Sequence, residues 1–454
     1  MATSPASVSA SVPDNTSPAL KAYSFWRLFN LSLGFLGIQF GWAIQNSQMA
    51  PLLERLGSEP WITNVIACAG PVTGILVQPI VGALSDQSTH PFGRRRPFIL
   101  VGAILTALSL ILMPNSPGLL VAAALLWILD ASLNTTQGPY RAMVPDSVPS
   151  HQRATAYSLM SFTIGLGSVI AFGTGFAVPK LFQNLESSGF TFEPFLANDM
   201  QLSFYLAAVA LLVAMTWTCY TNHEKAISKE EAPGNNTSLV QVFVDTFKSI
   251  KDMPDEAKKL CLTHSFTWFG WACLFYYFSL FVPHHIFNAP TPESPGYDEG
   301  VQWVSMCYLI MNLACLSSAT AVTYFCNRGA SRKVIHTLGL LCVGGALLSS
   351  MFVHSPMDLA VLMAFVGIGW STTLSIPFAL LAEHMPPGRE GLLMGSFNMF
   401  IAAPQVLTSV IVGPTVKAMD NNVTVALMMG GVSMLIASLL LQRVKEEKHP
   451  LQQV

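Results

Sequence analysis

Residues 127–146 read WILDASLNTTQGPYRAMVPD, and they follow the apolar run LLVAAALL at 119–126. Asp130 therefore sits in a stretch that is otherwise fit to dissolve in lipid. A charged side chain at the centre of a membrane helix costs about 2.5–3.5 kcal/mol on insertion scales. It persists where it faces a cavity or a partner and has a function there. Asn134, Gln137 and Arg141 lie four, seven and eleven residues after Asp130. At about 100° per residue the four share one helix face. A polar stripe on an apolar helix predicts a membrane helix whose stripe lines a path through the protein.

The rest of the chain agrees. Of 454 residues, 52% are hydrophobic and only 11% charged, against about 25% charged in an ordinary soluble protein. So few charges cannot cover a water-facing surface, so membrane lipid is the expected surrounding. A net charge of −2 gives no basic footprint for nucleic acid. The eight cysteines are scattered with no C-x-x-C pair, and read as small buried hydrophobes. His284-His285 has no carboxylate or thiol at ligand spacing, so no metal is expected. The first residues, MATSPASVSASVPDNTSPAL, lack the basic start and apolar block of a signal peptide.

Apolar stretches long enough to span a bilayer as helices fall near 25–48, 61–84, 97–114, 118–140, 154–178 and 201–220. A second set falls near 260–283, 299–325, 333–353, 357–382, 392–416 and 423–442. With both termini in the cytoplasm, Lys21, Arg27, Arg94 to Arg96, Arg141, Arg153, Arg328, Arg332, Lys333, Arg389 and Arg443 all fall inside. Only Arg55, Lys180 and Lys417 fall outside, which is the positive-inside signature. The expectation is an all-α membrane protein of twelve transmembrane helices in two six-helix bundles. Its parts are a cytoplasmic tail (1–22), a first bundle (23–220), a linker (221–258), a second bundle (259–444) and a cytoplasmic tail (445–454). The linker holds sequons at Asn235 and Asn236, expected to face the cytoplasm unglycosylated. It also holds VQVFVDTFKSIKDM, a candidate interfacial helix.

The halves echo each other. QGPYRAMVPDSVPSHQRATAYSLMSF (137–162) and SIPFALLAEHMPPGREGLLMGSF (375–397) each carry a proline–aromatic pair, then an acid, prolines and an arginine. Paired helical halves describe a transporter built from repeats. Aligned on Pro139 and Pro377, Asp130 falls opposite Ile368, so any coupling would be carried by the first half.

Between spans 2 and 3 stands GPVTGILVQPIVGALSDQSTHPFGRRRPFIL (70–100). Gly82-x-x-x-Asp86 followed by Gly93-Arg94-Arg95-Arg96 resembles the loop signature of the major facilitator superfamily. The longer form, with six residues between the Asp and the Gly, resembles that of plant sucrose transporters and their animal and bacterial relatives. These belong with the glycoside-pentoside-hexuronide:cation symporters. GIQFGWAIQNSQMAPLLERLG (37–57), WILDASLNTTQGPYRA, SIPFALLAE and YDEGV (297–301) resemble the same family. The resemblance implies a sugar symporter. Two departures stand out: the plant histidine of the first external loop is replaced within LGSEPWI (56–62), and the acidic pair at the outer end of span 7 is replaced within YYFSLFVPHH (276–285).

The expected function is proton-coupled import of a disaccharide, sucrose or a maltose-like glucoside, by alternating access. Asp130 is the expected proton-coupling residue, because a carboxylate facing a membrane cavity can be charged in one state and neutral in another. Asn134 and Gln137 suit sugar hydroxyls. In span 1, Trp42 and Gln45 supply an aromatic face and an amide; in the second half Trp271 and Asn312 are candidates, with Trp268 and Thr372 behind them. Asp86, Arg94, Arg95 and Arg141 are the expected gate, with Asp86 bonding the start of a neighbouring helix. Arg141 reads equally as a topology anchor. No cofactor beyond the coupling proton, no partner beyond sugar and lipid, and a monomer are expected. A sodium symporter and a non-transporting sugar receptor are the alternatives. No nucleophile–base pair marks an enzyme. Short loops and tails point to a multi-pass protein of a bacterial inner membrane.

Overall fold

The computed structural model describes residues 23–149, 152–188, 199–224, 253–384 and 390–446, with isolated positions between 244 and 251. Both expected tails, except residues 445 and 446, the sequons at Asn235 and Asn236 and most of the expected interfacial helix lie outside the described residues.

The described residues form helices joined by short turns, without a β-strand. Span 1 is α1 (Phe25–Ile44), a π-helical turn (Gln45–Met49) and α2 (Ala50–Arg55). Span 2 is α3 (Pro60–Ala67) and α4 (Ala69–Asp86). Spans 3 to 6 are α5 (Arg96–Leu112), α6 (Leu119–Ser147), α7 (Arg153–Ser187) and α8 (Asp199–Thr221). Span 7 is α9 (Asp255–Phe281) and a second π turn (Val282–Ile286). Spans 8 to 12 are α10 (Tyr297–Asn327), α11 (Arg332–Ser349), α12 (Pro356–Glu383), α13 (Glu390–Ala418) and α14 (Thr424–Leu441). Eleven of the twelve are long and apolar enough to cross a membrane. Span 1 is the exception; Gln39, Gln45, Asn46 and Gln48 dilute its apolar character, and it packs between spans 5 and 6. Span 4 runs past its expected end, through Pro139 to Ser147. Proline is tolerated inside membrane helices because neighbouring groups can satisfy the carbonyl it leaves unpaired.

The packing order shows the repeat. In the first half, span 1 lies on 5 and 6, span 6 on 3, span 3 on 4, and span 4 on 2. In the second, span 7 lies on 11 and 12, span 12 on 9, span 9 on 10, and span 10 on 8. Adding six to each number turns the first order into the second. Small residues allow the closest approaches: a Cβ on Gly37 of span 1 would stand 2.6 Å from Ala214 Cβ of span 6. One on Gly270 of span 7 would stand 2.9 Å from the Gly430 carbonyl oxygen of span 12.

The halves meet where span 5 lies on span 8 and span 2 on span 11. One end of the molecule carries the turns after spans 1, 7 and 11, and is called here the Glu54 end. The other carries the turns after spans 2 and 8, the Asp86 end.

Candidate functional site

Asp130 lies near the middle of α6 and is wholly buried. Gln45 Nε2 donates to both of its carboxylate oxygens, at 3.0 and 3.1 Å. No ion pair forms at Asp130 among the described residues. Gln45 is the first residue of the π turn. A π turn breaks the 3.6-residue phase of the helix, so Gln45 and Gln48 do not share the face that constant pitch would give them. Gln45 reaches Asp130, while Gln48 is buried. The Gln45 Oε1 atom is buried without a partner.

Asn134 is fully engaged as a donor. Its Nδ2 donates to Thr73 Oγ1 at 3.0 Å and to the Asp130 carbonyl at 3.0 Å, and its Oδ1 accepts from Gln78 Nε2 at 2.6 Å. It ties span 4 to span 2. Gln137 is buried and its Nε2 has no partner. Arg141 is exposed, with its guanidinium 5.9 Å from the Phe35 ring centre and no ion pair among the described residues. The stripe is thus buried from Asp130 to Gln137 and opens at Arg141.

The other candidates are placed differently. Trp42 is half-buried against the first-half core. Trp271 is wholly buried in the second-half core, stacked on Phe275 at 5.6 Å, 4.7 Å from Trp370, and donating to Thr373 Oγ1 at 3.4 Å. The Asn312 amide folds back onto the Tyr308 carbonyl at 2.8 Å, one turn down its own helix. The hydrogen bonds found do not bring either residue to Asp130. Sequence reasoning missed Gln78 and Thr73, and also Trp370. The lone amide of α4 and the single indole of span 10 were the available signals.

At the Asp86 end, Asp86 pairs with Arg95, and Arg94 pairs with Asp146. Arg95 Nε lies 2.9 Å from Asp146 Oδ2, and Arg95 also donates to Ser85 Oγ at 2.6 Å. The start of span 3 is held by Glu224, not by Asp86: Glu224 Oε2 accepts from the backbone N–H of Arg95 at 2.7 Å and of Arg96 at 3.2 Å. Asp86 closes α4 at its C-terminus, where the helix dipole offers an anion nothing, and turns to the guanidinium instead. The second half repeats the device. Glu446 accepts from the backbone N–H of Arg332 at 2.7 Å and of Lys333 at 3.4 Å, and Arg332 pairs with Glu383. Burial pushes the Glu446 carboxyl up. The Ser331 hydroxyl, these two N–H groups and the Arg332 guanidinium outweigh that and hold it below the usual carboxylate range.

At the Glu54 end the halves are joined by charge. His284 Nε2 lies 2.9 Å from Glu54 Oε1, the Tyr297 hydroxyl donates to Glu54, and Arg55 pairs with Asp298. Deeper, Asn64 Nδ2 donates to the Tyr277 hydroxyl at 2.9 Å and to the Thr408 carbonyl at 3.2 Å. The carboxylate missing beside His284 in sequence arrives from the other half of the chain. Even so, the described residues hold no group of three or more side chains able to ligate a metal. All eight cysteines are free, and none is fully exposed.

Residues 31–409 match the profile of the Major Facilitator Superfamily. The rice protein "Sucrose transport protein SUT5" (Oryza sativa subsp. indica) is 27% identical over 91% of this chain and 86% of its own length. Arabidopsis thaliana "Sucrose transport protein SUC4" is 26% identical over 91% and 89%. The "General alpha-glucoside permease" of Schizosaccharomyces pombe is 24% identical over 90% and 92%. Among solved structures, a mutant of the nucleoside transporter NupG superposes with a TM-score of 0.69 at 12% identity, covering 92% of this chain and 100% of that one. A bacterial homologue of the human lysosomal transporter Spinster, inward-facing and unoccupied, gives 0.62 at 14% identity, covering 92% and 94%. These two show likeness of fold.

Proposed function

The chain belongs to the Major Facilitator Superfamily, a family of transport proteins rather than enzymes, and from that premise we propose that it is a proton-coupled symporter importing a disaccharide by alternating access. The sugar is sucrose or a maltose-like glucoside. The names of the plant and fission-yeast relatives support this substrate class.

The observation that carries the reading is the pairing of Asp130 with a neutral amide. Gln45 donates an N–H to the carboxylate, and its Oε1 stands vacant. A flipped amide would accept from the carboxylic acid. One side chain can therefore bond the carboxyl in either protonation state, by its N–H or by its oxygen. A guanidinium partner would hold the charged form alone. The free Gln137 Nε2, about 10 Å further along the helix, offers a donor to a sugar hydroxyl.

Both termini are cytoplasmic in this reading, so the Asp86 end faces the cytoplasm and the joined Glu54 end faces outside. Separation of the Glu54 contacts admits sugar and proton from outside; release to the cytoplasm follows when they re-form and the Asp86 end opens. The chain acts as a monomer, with lipid around it and no cofactor beyond the proton. It is a multi-pass membrane protein; its short loops favour a bacterial inner membrane, whereas the relatives named come from plants and a fission yeast. Uptake of labelled sucrose and maltose into proteoliposomes, under an imposed proton gradient or sodium gradient, tests the reading. Accumulation driven by protons alone supports it. Accumulation driven by sodium, or binding without uptake, replaces it.

A further inference from the structure

His264 of span 7 is wholly buried, and its Nε2 lies 2.8 Å from Trp268 Nε1. An indole N–H can only donate. His264 Nε2 is therefore the acceptor, and the imidazole proton resides on Nδ1, which has no partner. The ring is clamped from two other spans. It stacks on Phe397 of span 11 at 4.4 Å and 16°, and meets Phe378 of span 10 edge-on at 6.0 Å and 80°.

Phe378 belongs to the second of the repeated proline–aromatic pairs. In the first pair, Tyr140 stacks on Phe35 of span 1 at 4.5 Å and donates to the Leu31 carbonyl. Each pair thus braces the first span of its own half. In the second half the braced group carries a lone pair, and that lone pair holds Trp268.

Trp268 packs at the edge of the second-half core and is not enclosed by it. Span 7 packs on span 12 through Gly270, and through the Phe266 carbonyl, which accepts from Ser433 Oγ at 2.7 Å. Trp268 is two residues from each, about 200° around the helix. Its ring meets Trp370 of span 10 at 5.9 Å and 78°, and both indoles are half-buried where Trp271 is fully enclosed. Spans 8 and 11 make the broadest contacts with the first half, and span 7 touches spans 1 and 2 as well. The faces of spans 7 and 10 turned away from spans 9 and 12 therefore look toward the first half. Trp268, Trp370 and Asp130 all lie near the middle of their spans.

We infer that His264 is a positioning residue that fixes the Trp268 indole by its N–H, so that the ring face is presented between the two halves as the apolar platform for a pyranose. With its N–H engaged, the indole meets the sugar through its face and its C–H groups. This rests on the sugar-transport reading above.

The test uses the full-length protein. His264→Phe keeps a stacked ring and removes the acceptor, while His264→Gln keeps an acceptor oxygen. The sugar KM should rise about fivefold in His264→Phe, as the loss of one hydrogen bond suggests, with Vmax little changed, and stay near wild type in His264→Gln. Adding His264→Phe to Trp268→Phe should raise KM no further. Additive effects, or a fall in Vmax at unchanged KM, would overturn the inference. A second readout needs no substrate. The 15N indole resonance of Trp268, assigned by its loss in Trp268→Phe, should move in His264→Phe and hold in His264→Gln. An unmoved resonance in His264→Phe overturns the positioning role. A moved resonance in a protein that transports no sugar leaves that role standing and overturns the transport reading instead.

Discussion

Glu224 and Glu446 hold equivalent places in the two halves: each follows the last span of its half and accepts from two consecutive backbone N–H groups at the start of the third span. An anion at a helix N-terminus is stabilising by about 0.3–1 kcal/mol, and more when partly buried. The Arg95–Asp146 and Arg332–Glu383 pairs complete the match. The repeat legible in the sequence as a proline–aromatic echo is thus also a repeat of ion pairs and helix caps.

Glu446 gives the first prediction. Its folded-state pKa lies below the ordinary value, which for Glu is about 4.3. The stability it contributes is present at pH above that value and is lost as pH falls through the folded-state pKa. Glu446→Gln should lower the melting temperature of purified protein by about 1–4 °C at neutral pH. The gap between variant and wild type should close as pH falls below the carboxylate range. A gap that stays constant to low pH would assign the effect to packing.

The Asp86 end gives the second. Asp86→Asn removes one partner of Arg95 and leaves the groups around Asp130 untouched. A contact that biases two conformations changes their populations without touching the ligand. Transport should slow in both directions while equilibrium sugar affinity stays within about fivefold, a coupling of 1 kcal/mol. Rates equal to wild type would remove the gating role.

The Glu54 end gives the third. Glu54→Gln breaks the pairing to His284 and leaves Arg55–Asp298 in place. The variant should favour separation of the halves at this end. Cys68, buried where spans 2 and 11 meet and bonded to Ser409, should react with an impermeant maleimide about five- to tenfold faster, as 1 to 1.4 kcal/mol of coupling gives. Labelling no faster than wild type would show that this pair does not hold the end closed.

Trp271 and Trp268 separate core from site. Trp271→Ala opens a cavity in a packed core and should cost about 3–5 kcal/mol of stability, visible as loss of folded protein in detergent. Trp268→Ala should leave the protein folded and weaken sugar binding. The reverse pattern would exchange their roles.

Much was legible in the sequence. Eleven of the twelve spans follow from apolar length, and the buried stripe of Asp130, Asn134 and Gln137 from helical spacing. What was not legible depends on contact between distant segments. Gln45, expected to bind sugar, instead bonds the Asp130 carboxylate, and the π turn at Gln45–Met49 shows on no wheel of constant pitch. The pairing of Glu54 with His284 joins spans 1 and 7. Trp271 reads as a sugar platform by residue type, and only packing puts it inside while leaving Trp268 at the surface of its bundle.

The central claim is that Asp130 exchanges a proton in each cycle. One charge moved down the membrane potential contributes about 2.3 kcal/mol per 100 mV, enough to drive accumulation of a sugar. Asp130→Asn keeps the shape and a hydrogen-bonding side chain but cannot titrate. The decisive measurement is uptake of labelled sugar into proteoliposomes under an imposed pH gradient, with wild type and Asp130→Asn at matched protein levels. Wild type should concentrate the sugar, and the variant should only equilibrate it while still exchanging sugar for sugar. An asparagine variant that concentrates sugar against its gradient would contradict the account.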